Sequence, residues 1–285
     1  MWLLYAFGSA FFAGVTAILA KIGIRHTASN LATAVRTVVV LLMSCGMVLI
    51  VGSQESLAAI APKTWLFLVL SGLATGASWL CYFRALQVGD VNRIVPIDKS
   101  STVLTILLAW LLLGEPVAWT GALGAAVILV GTYLMIERRQ PSDRTASRRG
   151  IVPALFSALF ASLTAILGKI GIDGVESNLG TAIRTAVVLV MAWLVVLVSG
   201  QIRETVAIPR RDLLFICLSG LATGASWLCY YRALQQGPAA VVVPIDKLGI
   251  VVTVVFSCVV LKERLSGKAW LGLALIVAGT LAMLL

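Results

Sequence analysis

Charged residues are scarce in this sequence. Only 12% of its 285 residues are charged, 60% are hydrophobic, and the mean hydropathy is +1.02. An average soluble domain is roughly a quarter charged and about half apolar, and one soluble core of this size could not bury the remaining apolar surface. The composition therefore excludes an ordinary soluble protein and predicts an integral membrane protein.

The sequence has a single histidine and no phosphate-binding loop. Because His26 is the only histidine, a histidine-based metal site or catalytic triad has nothing to build on. No Gly-x4-Gly-Lys-Ser/Thr motif for ATP occurs, and the five cysteines fall inside apolar stretches without ligand or disulfide spacing. We therefore expect a protein that is not an enzyme, binds no metal or cofactor, and does not itself hydrolyse ATP.

Acidic residues are outnumbered by basic ones, 12 to 22, which gives a net charge of +10. On a soluble protein, such a surplus would suggest nucleic acid as a partner. Here the basic residues stand mostly at the ends of apolar runs, so they indicate orientation in a membrane instead. We expect membrane lipid as a partner and no nucleic acid.

The chain is a tandem repeat with an offset of 148 residues, as between Lys21 and Lys169. Three long stretches recur at this offset: 13–24 at 161–172, 71–82 at 219–230, and 95–99 at 243–247. Matches of this length do not arise by chance, so the chain is a fused duplication of one unit.

Each unit contains five apolar runs of the length that spans a bilayer, about 20 residues. The predicted spans are 3–24, 31–51, 64–86, 92–113 and 117–136, then 151–172, 179–199, 212–234, 240–261 and 265–285. We therefore predict an all-α fold with a first unit at 1–137, a polar connector at 138–149 and a second unit at 150–285. The total is ten transmembrane helices.

An odd number of spans per unit has a topological consequence. Each unit begins on one side of the membrane and ends on the other, so the two units are expected to be inverted, with a pseudo-two-fold axis in the membrane plane. Most loop arginines and lysines follow the odd-numbered spans, whereas Lys63 is the main basic residue after the even-numbered ones. The positive-inside rule then predicts a cell-membrane protein (inner or plasma membrane) with both termini outside.

A glutamate and glycine pattern opens and runs through the last span of each unit. It reads Glu115-x8-Gly124-x6-Gly131 and recurs as Glu263-x8-Gly272-x6-Gly279. Together with five helices per unit, this pattern resembles the EamA family of the drug/metabolite transporter superfamily. The resemblance implies a secondary transporter of ten helices with a central cavity lined mainly by helices 1, 3 and 4 of each unit. It also implies cytoplasmic termini, the reverse of the charge prediction.

Charges inside the spans are the main candidates for function. A charge at the bilayer centre costs on the order of 2.5–3.5 kcal/mol, so such side chains normally face a wet cavity. The candidates for a transport route are Asp98, Lys99, Asp246, Lys247, Arg36, Arg184, Lys21 and Lys169. For Lys21 and Lys169, and for Arg84 and Arg232, the alternative is that they only extend to lipid headgroups.

Aromatic residues inside spans 3 and 8 are further candidates. Trp79 and Tyr82, and their copies Trp227 and Tyr230, lie at helical spacing. We predict that they form a wall of the cavity; ordinary core packing is the alternative.

Three other features concern how the helices break, pack and begin. Pro96 and Pro244, two residues before each aspartate, either break a helix that lines a binding site or only begin that helix. The Gly-x3-Gly pairs in spans 3 and 8 favour close helix packing within the chain over dimerisation. Glu115 and Glu263 are expected to be structural acids at helix N-termini.

The function expected from these residues and from the resemblance is secondary transport of a small polar metabolite, anionic or zwitterionic. Alternating access through a cavity between the two units would carry it. A flippase for lipids or lipid headgroups is the alternative, because cationic clusters also suit phosphate. The chain is expected to act as a monomer or homodimer, and its substrate is not named by its residues.

Overall fold

The computed structural model describes all residues except 24–25, 89–96, 98–99, 117–118, 136–149, 203–207, 261–265 and 284–285. Within the helices, the side chains of residues 21, 29, 83, 84, 86–88, 135, 257, 259 and 260 are likewise not described. The described residues form helices and connecting turns, with no strand among them.

The first unit contains α1 (Trp2–Gly23), α2 (Ser29–Val51), a 3-10 helix (Ser53–Ala59), α3 (Pro62–Val88), α4 (Ser101–Leu113) and α5 (Trp119–Met135). The second contains α6 (Ile151–Gly171), α7 (Ser177–Val198), α8 (Arg210–Gln236), α9 (Ala239–Lys247), α10 (Gly249–Val260) and α11 (Gly267–Ala282). Except for the fourth span, which is described as a helix only from Ser101, and the ninth, which is broken, these bounds follow the predicted spans closely. Each apolar run satisfies its backbone hydrogen bonds internally as a helix.

Seven segments are long and apolar enough to cross a membrane: α1, α2, α3, α6, α7, α8 and the combined segment Ala239–Phe256. Helices α4, α5 and α11 are shorter but also apolar. Large apolar side chains remain exposed along the outside, such as Leu42 at 68% and Val198 at 89%. Length and exposure together identify a multi-pass membrane protein whose outer surface faces lipid.

Helices pack across the two units rather than mainly within them. Helix α1 lies on α8, α3 on α6, α2 on α7, and α5 on α11. The hydrogen bonds are reciprocal: Ser71 Oγ donates to the carbonyl of Thr164 at 2.8 Å, and Ser219 Oγ donates to the carbonyl of Thr16 at 3.4 Å. Since both members of each bond are shifted by 148 residues, the units are related by a pseudo-two-fold.

The glycine pattern lies at the contact between α5 and α11. A Cβ added at Gly124 would be 2.5 Å from the carbonyl oxygen of Gly279, and one at Gly131 would be 2.6 Å from that of Gly272. Only residues without a side chain allow these backbones to approach so closely. The repeated glycines therefore hold the two units together.

The Gly-x3-Gly pairs also pack within the chain. A Cβ on Gly72 would be 2.7 Å from Cβ of Val187, and one on Gly220 would be 2.7 Å from Cβ of Val39. Gly72 on α3 thus contacts α7, and Gly220 on α8 contacts α2 in the same way. The prediction of intramolecular packing is confirmed.

The ninth predicted span is broken. Pro244 is inside α9, and α9 ends at Lys247 before α10 begins at Gly249. At the break, Leu248 N donates to the Ile245 carbonyl at 2.9 Å, a tighter three-residue turn. Because Pro244 lies well inside α9, the alternative that it only begins a helix is wrong. Its copy Pro96 lies outside the described residues.

Candidate functional site

A cavity of about 280 Å³ lies between the two units. A cavity of this size can hold one small solute. Helices α1 and α3 of the first unit and α6, α7, α8 and α9 of the second contribute its walls. The lining residues are Ala13, Thr75, Ser78, Trp79, Ala161, Thr164, Ala165, Arg184, Ser226, Trp227, Tyr230, Tyr231, Asp246 and Lys247.

Arg184 on α7 is the most deeply buried charge of this cavity, with only 2% of its surface exposed. Its Nε donates to Ser71 Oγ at 2.9 Å, and its Nη2 donates to Thr75 Oγ1 at 2.7 Å. Both acceptors lie on α3 of the other unit. Nη1 is buried and has no hydrogen-bond partner among the described residues.

Two aromatic rings of α8 enclose the Arg184 guanidinium. Its central carbon is 5.1 Å from the ring centroid of Trp227 and 4.5 Å from that of Tyr231. These distances are within the range of cation–π attraction. Tyr230 meets Tyr231 edge to face at 5.2 Å and extends the aromatic wall along the cavity.

Asp246 lines the cavity just before the break between α9 and α10. Its Oδ1 accepts a hydrogen bond from Ser9 Oγ of α1 at 2.6 Å. Ser9 Oγ also lies 3.2 Å from Ser226 Oγ, and Ser226 Oγ donates to the Ser9 carbonyl at 3.1 Å. A chain of hydroxyls from both units therefore holds this carboxylate in place, beside Lys247.

The structure brings half of the twelve predicted route residues to the cavity wall. These six residues are Arg184, Asp246, Lys247, Trp79, Trp227 and Tyr230. Asp98 and Lys99 lie outside the described residues, as do the side chains of Lys21 and Arg84.

The remaining three candidates are not among the lining residues. Arg36 is half-buried on α2. Tyr82 packs beside the small buried cluster of Ala85 and Ala154. Lys169 takes part in a separate cluster with Glu115.

Lys169 is not among the residues that line the cavity. Its Nζ lies 2.9 Å from Glu115 Oε1 and also donates to the Gly237 carbonyl. Both side chains are mostly buried, at 22% and 11% exposure. The long α6 side chain reaches the turn that follows α4, so in this structure Lys169 contacts Glu115 and is not among the lining residues.

Glu115 caps a different helix from the one expected. Its Oε1 accepts from Ala239 N at 2.9 Å and its Oε2 from Ala240 N at 3.0 Å, at the first residues of α9. The predicted role of Glu115 as a structural acid at a helix N-terminus is therefore confirmed, but the helix that it caps is α9 of the other unit and not the following α5. Glu263 lies outside the described residues.

Sequence reasoning overlooked Ser9, Ser71 and Tyr231. Ser9 has a copy at Ser157, so a serine repeated inside two apolar helices was a usable signal. Tyr231 has Phe83 at the equivalent position of the first unit. A search for polar residues that recur in both units therefore does not find Tyr231.

Comparison with known proteins agrees with the helical architecture. The chain is similar to an uncharacterized transporter of Sinorhizobium, with 48% identity over 130 residues, 46% of this chain and 92% of the relative. An uncharacterized transporter of Archaeoglobus fulgidus is 23% identical over 224 residues, 78% of this chain and 77% of the relative. A Listeria innocua protein, whose name proposes sugar uptake, is 25% identical over 72% of this chain and 74% of its own length.

A solved crystal structure shares the fold, with a TM-score of 0.82, 18% identity, and coverage of 98% of this chain and 96% of the other. The sequence pattern of the EamA-like transporter family matches this chain twice, over residues 1–137 and 148–285. Because these two matches include nearly the whole chain, the assignment does not rest on the glycine pattern alone. The chain belongs to the EamA-like transporter family.

Proposed function

We propose that this protein is a secondary transporter that moves a small polar metabolite, anionic or zwitterionic, through the cavity between its two units. The observation that carries the proposal is the position of Arg184, Asp246 and Lys247 on the wall of that cavity. Ionised side chains inside a membrane protein are costly and mark solute or ion routes by default.

Alternating access is the mechanism that the repeat favours. If two related units can each adopt both of two conformations, exchanging those conformations opens the opposite side of the central site. The reciprocal bonds of Ser71 with Thr164 and of Ser219 with Thr16 support such a relation between the units. An odd number of spans per unit would place the axis in the membrane plane and make the two openings face opposite sides.

The shape of the site supports a small solute. A volume of about 280 Å³ is at the lower limit of ordinary ligand pockets. The lining combines four aromatic rings with hydroxyls and three charges. Such a wall can replace the hydration of a polar group while its rings contact the rest of the solute.

Proteoliposome transport tests the proposal. Purified protein is assayed with labelled monocarboxylates, amino acids, sugars and amines, with and without a pH gradient. We expect at least one anionic or zwitterionic compound to move, and Asp246→Asn to abolish its transport. Asp173→Asn, the same change in an exposed turn, is the matched control.

Three outcomes would contradict the proposal. They are movement of no panel member, transport that Asp246→Asn leaves intact, and translocation of fluorescent phospholipid in place of solutes. The last result would establish the flippase alternative.

We further propose that the protein lies in the cell membrane with both termini outside, because loop arginines and lysines follow the odd-numbered spans. Fusions of alkaline phosphatase and of a fluorescent protein to the C-terminus test this orientation. Phosphatase activity without fluorescence is expected; fluorescence without phosphatase activity would reverse the orientation.

A further inference from the structure

We infer that Arg184 recognises a carboxylate of the substrate, so that the transported compound is a small organic monocarboxylate. This inference rests on the proposed function, and it names both the substrate class and the residue that selects it.

The first argument is that the guanidinium has a hydrogen-bond donor without an acceptor. Only 2% of the Arg184 surface is exposed, and its Nη1 has no hydrogen-bond partner among the described residues. Its two partners, Ser71 and Thr75, are neutral hydroxyls. A buried cation without a counter-anion is strongly destabilising, unless an anion from elsewhere completes the site. Arg184 lines the cavity, and an anionic solute bound there supplies such an anion.

The second argument is preorganisation. The hydrogen bonds from Nε to Ser71 and from Nη2 to Thr75 fix the orientation of the guanidinium. The rings of Trp227 and Tyr231 contact it and restrict it further. A cation held in this way loses little conformational entropy when a ligand binds. Guanidinium is also the group whose planar donors fit a carboxylate, whereas the Lys247 ammonium acts as a flexible point charge.

The third argument is the charge of the cavity. Among the described lining residues, Arg184 and Lys247 are positive and Asp246 is negative, so one positive charge is in excess. A monoanion cancels this excess, a zwitterion leaves it, and a dianion such as a phosphate reverses it. In a site of low dielectric, these differences are large compared with those in water.

The fourth argument is the apolar part of the wall. Trp79, Trp227, Tyr230 and Tyr231 present rings beside the guanidinium. These rings suit a carbon skeleton attached to the carboxylate. The combination favours an organic acid over an inorganic anion.

Binding to the purified full chain in detergent tests the inference. The probes are a carboxylate series from acetate to benzoate, and three compounds related to benzoate: neutral benzamide, cationic benzylamine and dianionic phenylphosphonate. We expect a carboxylate of the series to bind and stabilise the protein against heat, while its uncharged and cationic relatives do not.

Arg184→Met is expected to weaken the binding of that carboxylate roughly 10- to 100-fold, which is the effect of losing one hydrogen bond to a charged group. Arg184→Lys should recover part of the affinity, and this recovery separates recognition from a folding defect. Arg232→Gln removes an arginine that bonds Gln235 away from the cavity, and it should bind like the wild type.

Two results would overturn the inference: no carboxylate of the series binds, or Arg184→Met binds as tightly as the wild type. Its failure is distinguishable from failure of the proposed function. If an anionic or zwitterionic solute is transported with dependence on Asp246 but Arg184→Met binds it as tightly as the wild type, the proposed function stands and the carboxylate assignment falls. If carboxylates bind through Arg184 but no solute crosses liposomes, the reverse holds.

Discussion

Lys169 and Glu115, contributed by different units, form a largely buried ion pair with 2.9 Å between Nζ and Oε1. The same carboxylate accepts from the backbone of Ala239 and Ala240, at the start of α9. The other end of α9 carries Asp246 and Lys247 on the cavity wall. The pair therefore fixes, from the opposite end, the short helix that presents two of the three cavity charges.

The ion pair should be energetically coupled to the α9 cap. Lys169→Met leaves Glu115 bonded to two backbone amides, and Glu115→Gln leaves Lys169 with the Gly237 carbonyl. We expect each change to destabilise the protein and the double variant to show a coupling energy of about 1 kcal/mol or more. Unfolding titrations in mixed micelles measure it. Strict additivity would show that the pair contributes nothing.

The glycine contact between α5 and α11 should tolerate no side chain. In Gly124→Ala, the new Cβ meets the Gly279 carbonyl oxygen at 2.5 Å, so we expect a loss of about 1–3 kcal/mol in unfolding free energy. Gly46→Ala is the matched control because nothing lies within 4 Å of its added Cβ, and a helix prefers alanine to glycine. Equal effects of the two substitutions would be inconsistent with the close approach.

Asp212 should stabilise the turn between α1 and α2. It is 4% exposed, and its Oδ2 accepts from His26 N at 3.0 Å and from Thr27 Oγ1 at 3.3 Å. Asp212→Ala leaves both donors without an acceptor and should lower the free energy of unfolding by about 1–3 kcal/mol. His26→Ala keeps the backbone donor and removes an imidazole that is 67% exposed, so its stability should stay within about 0.5 kcal/mol. A larger effect of His26→Ala than of Asp212→Ala in thermal unfolding would refute this.

Ser9 should support transport through Asp246. Ser9→Ala removes the donor at 2.6 Å from Oδ1, and a bond to a charged acceptor contributes about 1.5–3 kcal/mol. We expect transport of the compound identified in liposomes to fall roughly tenfold or more. Ser44→Ala, a buried serine that bonds Val40 in its own helix, should leave the rate unchanged. Equal rates for both variants would remove Ser9 from the mechanism.

Most of the helical architecture could be predicted from the sequence because two signals are local. Apolar runs of spanning length locate the helices, and the offset of 148 residues divides them into equivalent units. The glycines of the last spans were visible as a pattern. Their mutual contact, Gly124 with Gly279, follows once a two-fold relates the units.

The site was predicted only in part because its decisive contacts join distant residues. A charged residue in an apolar helix is visible in the sequence, so Arg184 and Asp246 could be selected. Their partners Ser71 and Ser9 come from the other unit, more than 100 residues away. Glu115 shows the same limit more clearly. An acid before a helix predicts a cap on that helix, but tertiary packing directs the Glu115 carboxylate to α9, 124 residues away.

The central claim is that the cavity between the units is open to each side of the membrane in turn. Ala13 and Ala161 are equivalent positions on its wall. In a cysteine-free chain, Ala13→Cys and Ala161→Cys are treated with a membrane-impermeant thiol reagent in right-side-out and inside-out vesicles. Ala192→Cys, at a buried position packed between helices, is the control. The account predicts that both cavity cysteines are labelled from both sides and the control from neither; labelling from one side only, or from no side, would contradict it.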